Sequence, residues 1–114
     1  MAAAAAGAEA MRNEQARIDA QNSDAMRRYI FALQGKIQRN FIRPASAVVG
    51  IECVINVRQL PGGHVDSVTI GVCNGNDAVR RAIEVAVHKS SPLPQPENQI
   101  LFDRYLRITF KPEE

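Results

Sequence analysis

The sequence predicts an α+β fold in which two main helices pack on one face of a three-stranded antiparallel sheet. Apolar and polar residues alternate in three short segments, 51–59, 65–73 and 105–111, as expected of strands with one buried face. Two other segments, 23–43 and 77–90, place apolar residues three and four apart, as amphipathic helices do. The predicted order is therefore helix, strand, strand, helix, strand.

The first helix is expected to start at Ser23-Asp24, because short polar side chains cap free backbone amides. It should stop near Arg43, since Pro44 disfavours the helical conformation of the residue before it. Its apolar stripe consists of Met26, Ile30, Leu33, Ile37 and Phe41.

The chain of 114 residues fits one domain, and its composition changes near residue 21. Residues 1–21 are rich in alanine and poor in large apolar side chains, so they favour a helix that buries little surface. We expect residues 1–21 to be the remnant of a helical stalk or a disordered segment, cut from a longer protein. Residues 22–114 are expected to form the folded domain.

The first two strands form a hairpin around Pro61-Gly62-Gly63, whose proline and glycines suit a tight turn. In the second strand Val65 and Val68 are three residues apart, so they share a face only if one residue is extra. This spacing predicts a bulge near Asp66-Ser67.

The second helix starts after turn residues at 74–77, and residues 97–104 favour a short helical turn. The helix crossover returns the third strand parallel to the second, so the first strand is central and the order is 2-1-3. The predicted core contains Ile30, Leu33, Ile37, Phe41, Ile55, Val57, Val68, Ile70, Val79, Ile83, Val87, Ile108 and Phe110.

Composition argues against several classes of protein. The formal net charge of +2 is too small to indicate nucleic-acid binding by itself. The chain has no run of 18 apolar residues, and its N-terminus does not have the pattern of a secretory signal. If the protein works outside the cytoplasm, its targeting segment is expected to lie outside this sequence. The fragment itself is expected to be soluble and monomeric.

Metal binding and catalysis have little support in the residue pattern. Cys53, Cys73, His64 and His88 lack the close ligand pairs of structural zinc sites. Ser90 and Ser91 have no base nearby in sequence, so we expect no enzyme, no metal and no cofactor.

A small α/β nucleic-acid-binding module is the alternative interpretation, because such sheets bind RNA through aromatic residues on an open face. Tyr105 is the only aromatic residue expected on that face, which weakens the alternative. The arginines that would contact phosphates are Arg27, Arg28, Arg80, Arg81, Arg104 and Arg107.

Seven short motifs occur in a specific order: 41–44 (FIRP), 52–57 (ECVINV), 61–63 (PGG), 73–75 (CNG), 78–83 (AVRRAI), 92–94 (PLP) and 101–112 (LFDR to FKP). Together they resemble the C-terminal domain family of TolA, over roughly residues 22–112. The related TonB C-terminal domain has a similar layout, but its Tyr-Pro start motif is not found here.

The resemblance implies a periplasmic interaction domain of the Tol-Pal envelope system, supporting outer-membrane integrity and division. It implies TolB and Pal as partners, TolQ and TolR as partners through an inner-membrane anchor, and use of the domain by colicins and filamentous phage coat protein. It implies no nucleic acid.

The periplasm implied by the resemblance is oxidising, so we expect a disulfide between Cys53 and Cys73. Gly71 is expected near Cys53, where it would leave room for sulfur. The register is open, since a diagonal pair of strand residues lies near the upper limit for bridging. Two buried thiols are the alternative.

The third strand is the expected partner-binding edge, because an edge strand has unpaired backbone groups to which an extended peptide adds. The inferred bulge protects the other edge, formed by the second strand. Alternatively, Arg107 and Thr109 only keep an exposed edge soluble. The predicted binding residues are Tyr105, Leu106, Arg107, Ile108, Thr109, Phe110 and Lys111.

Overall fold

The computed structural model describes residues 2–112, with side chains from residue 12 onward. The predicted order of elements is confirmed. The elements are α1 (Ala2–Asn40), β1 (Cys53–Gln59), β2 (Val65–Cys73), α2 (Asp77–Lys89), a 3-10 turn (Gln99–Leu101) and β3 (Tyr105–Phe110).

The strands lie in the order β2–β1–β3, and β1 pairs antiparallel with both neighbours, as predicted. The helices cover one face of this sheet. Every second residue of β1 is buried on that face, while Asn56 and Arg58 are exposed on the other. The buried residues of β1 are Cys53, Ile55, Val57 and Gln59.

The predicted start of α1 at Ser23-Asp24 is wrong, because the helix Ala2–Asn40 passes through both residues. Alanine has the highest helix propensity, so the segment before Ser23 continues the helix without a cap. The side chains of Ser23 and Asp24 are exposed, and Asp24 pairs with Arg27 one turn later.

The predicted division between residues 1–21 and 22–114 therefore falls inside one helix. The division itself stays a prediction, and Met1, Glu113 and Glu114 lie outside the described residues.

The buried stripe of α1 differs from the predicted one at Ile30, which is 38% exposed. The stripe instead follows four-residue spacing through Ala25, Tyr29, Leu33 and Ile37. Tyr29 tolerates burial because its hydroxyl accepts a hydrogen bond from Gln59 Nε2, at 3.2 Å.

Three more predicted core residues, Phe41, Val68 and Ile70, are half-buried and pack against the core from its margin. Ile51 and Leu93 are fully part of the core although they lie outside the helices and strands. Ile51 continues the alternating apolar face of the predicted strand 51–59, although it was not among the predicted core residues. Leu93 lies in a loop, where neither a period of two nor one of 3.6 indicates burial.

The proline-rich loop after α2 is joined to α1 by hydrogen bonds and an ion pair. Arg28 Nε and Nη2 donate to the two carboxylate oxygens of Glu97 at 2.6 and 2.9 Å, and Lys36 Nζ donates to Pro92 O at 2.6 Å. The hydrogen bond from Arg28 lowers the pKa of the Glu97 carboxyl. These contacts hold the loop against α1, whose packing on the sheet rests on its buried stripe.

Strand β2 contains two bulges. Arg58 pairs with Ser67 and Gln59 with Val65, so Asp66 is an extra residue, as predicted. A second shift, which the sequence pattern did not predict, places Gly71 and Val72 together opposite Val54.

The second bulge puts Cys73 directly opposite Cys53, and the two form a disulfide with their Cα atoms 4.0 Å apart. The expectation that Gly71 would make room for sulfur is wrong. A Cβ added at Gly71 would meet Asn56 Nδ2 at 3.1 Å, on the other side of the strand.

Replacing Tyr29 by phenylalanine is expected to lower the free energy of unfolding at neutral pH by about 1 kcal/mol. The loss is limited because Gln59 Nε2 keeps its second acceptor, Asp103 O, at 2.7 Å. Burial raises the pKa of the Tyr29 phenol above its ordinary value. The folded state therefore holds this proton where the unfolded chain releases it, and stability falls as pH rises above about 10.

Urea unfolding of the wild type and Tyr29→Phe at pH 7 and about pH 10.5 tests this point. The variant should lose less stability between the two pH values. Equal losses would show that Tyr29 does not contribute to the alkaline decline.

Candidate functional site

Strand β3 forms one edge of the sheet, because β1 is its only neighbour among the described strands. The peptide N–H of Gln59 donates to Arg104 O at 2.7 Å, next to the register pair Arg58–Tyr105. Hydrogen-bonded and non-hydrogen-bonded pairs alternate in an antiparallel ladder. The backbone groups of Tyr105, Arg107 and Thr109 therefore point away from β1, toward the free edge.

Both ends of this edge already have partners. The N–H of Tyr105 donates to Asp103 Oδ1 at 3.0 Å, and Thr109 O accepts from Gln34 Nε2 at 2.9 Å. Between them the edge presents Tyr105 C=O, Arg107 N–H and C=O, and Thr109 N–H. This is the donor and acceptor set of a short exposed strand, and it suits pairing with another extended chain.

The side chains of the predicted binding residues point in two directions. Tyr105, Arg107 and Thr109 are exposed on the face away from the helices, whereas Ile108 and Phe110 are core residues. Leu106 is half-buried against the core and Lys111 is exposed. A partner strand would meet the outward backbone groups of Tyr105, Arg107 and Thr109, while Leu106, Ile108 and Phe110 turn their backbone groups to β1.

A groove of about 550 Å³ lies between α1 and the end of β3. The contact from Gln34 to Thr109 O shows that α1 runs beside the free edge. Phe31, on the groove, is 77% exposed, which is unusual for so large an apolar side chain. The lining residues are Phe31, Gln34, Gly35, Gln38, Arg39, Thr109, Phe110 and Lys111.

The sequence pattern missed the α1 side of this groove. Phe31 lies off the buried stripe, and Gly35 lies inside a helix that alanine at this position would stabilise. The exposed position of Phe31 and the glycine at 35 were the available signals in the sequence. They indicate a groove only once α1 is known to lie beside β3.

On the opposite face of the sheet a shallower depression of about 300 Å³ lies around Asn56, Arg58 and Arg107. The Arg58 guanidinium is 5.9 Å from the centre of the Tyr105 ring and 3.3 Å from Asp66 Oδ2. The one aromatic residue that an RNA-binding face would use is therefore already in contact with a cation.

Both cysteines and both serines weighed for metal binding and catalysis make structural contacts. No group of three or more potential metal ligands occurs among the described residues, and both cysteines are in the disulfide. Ser90 is fully buried, and its hydroxyl donates to Ala86 O at 2.7 Å while accepting from Asn40 Nδ2 at 3.1 Å. Ser90 therefore closes the contact between the ends of α1 and α2.

The arginines considered for phosphate contacts do not act as a free set. Arg27 is paired with Asp24 and Arg28 with Glu97, and Arg80 Nη2 donates to Cys73 O at 3.4 Å.

No helix within residues 2–112 is both long and apolar enough to cross a membrane.

Comparison with known proteins agrees with this geometry. A family model described as TolA C-terminal matches residues 13–111. A solution NMR structure of TolAIII bound to a peptide derived from the N-terminus of TolB has a similar fold, with a TM-score of 0.66 at 23% sequence identity. The match covers 75% of this chain and 73% of that chain. No match was found among curated proteins.

Proposed function

Because this chain belongs to the TolA C-terminal family, a family of protein-interaction domains rather than of enzymes, we propose that it binds the N-terminus of a TolB-type partner. The partner segment adds to β3 as a fourth strand. The neighbouring structure of TolAIII holds a peptide from the TolB N-terminus, which supports this choice of partner.

The observation that carries the proposal is the row of outward-facing backbone groups on β3. Tyr105, Arg107 and Thr109 offer donors and acceptors at alternate positions of the free edge. Main-chain hydrogen bonds to such an edge supply affinity, and side-chain pockets on either side supply selectivity.

The other edge is a poorer site for strand addition. Strand β2 is bulged at Asp66 and again at Gly71-Val72, so its outer backbone groups do not follow a regular ladder. Bulges of this kind normally keep an edge strand from pairing with another chain.

At the level of the cell, we propose a periplasmic role in the Tol-Pal system, with an inner-membrane anchor linking the domain to TolQ and TolR. Pal, colicins and filamentous phage coat protein are further candidate partners, and envelope integrity and division are the processes served. Family membership and the disulfide between Cys53 and Cys73, which suits an oxidising compartment, support these assignments.

Titration of a TolB N-terminal peptide into isotope-labelled protein tests the proposal directly. Backbone amide shifts are expected for residues 105–111 and for the α1 residues beside them. Shifts confined to the helices, with 105–111 and 65–72 both silent, would contradict strand addition. Shifts in 65–72 alone would place the peptide on β2 instead.

Arg107→Pro is expected to weaken peptide binding by about tenfold or more, since proline removes the central outward N–H of the edge. Proline is tolerated on an edge strand where its missing N–H faces solvent, so the ladder to β1 should survive. Calorimetric titration of both proteins measures the change, after an amide spectrum has shown that the variant is folded.

Arg107→Ala is the matched control, because it removes the charge and keeps the N–H. Its affinity should stay much closer to that of the wild type. Equal losses in Arg107→Pro and Arg107→Ala would mean that the guanidinium, not the backbone, binds the peptide.

A further inference from the structure

We propose that the groove between α1 and β3 selects the partner by its side chains, with an apolar residue beside Phe31 and an acidic residue near Arg39 and Lys111. This inference rests on the strand addition proposed above. It assigns to α1 a direct part in recognition, which the edge of β3 alone does not require.

The argument starts from the alternation of side chains along an added strand. Successive side chains point to opposite faces of a sheet, so half of those on a fourth strand face the helices. Because α1 reaches the free edge through the hydrogen bond from Gln34 to Thr109 O, those side chains enter the groove. The other half lie beside Tyr105 and Arg107 on the open face.

Gly35 gives the groove its room. A Cβ added there would meet Arg39 Nη1 at 3.4 Å, and that atom belongs to a flexible, exposed side chain. Glycine inside a helix is destabilising relative to alanine, yet α1 has no packing contact that requires glycine at this position. The residue therefore leaves space beside Phe31 at the expense of helix stability.

Phe31 supplies the apolar surface of the groove. Its ring is largely exposed, whereas the large apolar residues of α1 on the stripe, such as Leu33 and Ile37, are fully buried. An apolar side chain of an added strand would cover this ring and remove it from water, which favours binding.

The positive charge of the groove favours an acidic side chain as the second residue of the partner that it contacts. Arg39 and Lys111 line one end, and no carboxylate is among the lining residues within the described chain. Neither cation has a carboxylate within 4.0 Å among residues 12–112. An acidic side chain on the incoming strand would be attracted to this end, and the attraction would weaken as salt is added.

Gly35→Ala gives a test in which stability and binding change in opposite directions. The midpoint of urea unfolding should move to higher urea, because alanine stabilises the helix. Affinity for the TolB N-terminal peptide should fall by about fivefold or more, because the added methyl group narrows the groove. A variant with higher stability and unchanged affinity would overturn the proposed role of Gly35.

Phe31→Ala should weaken the same peptide by about tenfold, as expected for an aromatic anchor in an interface. Ile18→Ala is the matched control, because it removes another exposed apolar side chain of α1 away from the groove. Its affinity should equal that of the wild type. Affinities of Phe31→Ala and Ile18→Ala within twofold of each other would contradict the groove model.

Arg39→Glu should also weaken binding, and replacing the acidic residue of the peptide by lysine should restore part of the loss. Amide shifts on β3 separate the two proposals. If the peptide shifts residues 105–111 but ignores all groove substitutions, strand addition stands and the groove inference fails. If the wild type does not bind at β3, strand addition itself fails.

Discussion

Ile55→Ala is expected to lower the free energy of unfolding by about 2–5 kcal/mol. Ile55 is fully buried on the central strand, where it pairs with Ile70 on one side and Ile108 on the other. Truncation removes three carbons from the core and leaves a cavity that two neighbouring strands constrain. A domain of this size has little stability in reserve, so the variant should be partly unfolded at physiological temperature.

Ile100→Ala is the matched control, since it makes the same change at a side chain that is 81% exposed. In urea unfolding followed by circular dichroism, the free energies of unfolding of the two variants should differ by most of the loss predicted for Ile55→Ala. Near-equal midpoints would mean that the sheet centre relaxes to fill the cavity, contrary to the packing described here.

Reduction of the disulfide between Cys53 and Cys73 should cost about 2–4 kcal/mol of stability. The cross-link spans a sequence separation of 20 and connects β1 to β2 beyond the second bulge, where the ladder is irregular. Urea unfolding with and without reductant measures the effect on an unchanged sequence.

The double variant Cys53→Ala/Cys73→Ala completes that experiment, because it also removes the buried sulfur of Cys53. It should be no more stable than the reduced wild type. If reduced and oxidised proteins unfold at the same urea concentration, the cross-link does not stabilise the fold.

Most of the fold could be predicted because its signals are local. The alternation in β1, the Pro61-Gly62-Gly63 turn and the three-residue spacing from Val65 to Val68 each report on backbone geometry within a few residues. The strand order then followed from the helix crossover, which leaves only the first strand for the centre.

The errors arose where the outcome depends on distant residues. Val68, Ile70 and Val72 keep a perfect alternation, so nothing in the pattern marks the bulge that follows Ile70. Tyr29 and Ile30 fit the apolar stripe almost equally well, and the partner of the buried Tyr29 hydroxyl, Gln59, lies thirty residues away in the sequence.

For the same reason, only part of the candidate site's geometry could be predicted. An edge strand follows from the strand order, so β3 could be chosen from the sequence. The groove could not, because Phe31 and Gly35 line it only through the placement of α1 beside Thr109.

Because α1 is one continuous helix, the direction in which the β3 edge faces depends on the number of residues in the helix. Each residue of an α-helix rotates the chain by about 100° about the helix axis and advances it by about 1.5 Å along that axis. One residue inserted near Gln15 would therefore swing the edge about a quarter turn relative to the N-terminal end of the helix. Four residues would bring it back to within about 40°. The number of residues in α1 would therefore set the direction in which a strand added to β3 leaves the domain, relative to the N-terminal end of the helix.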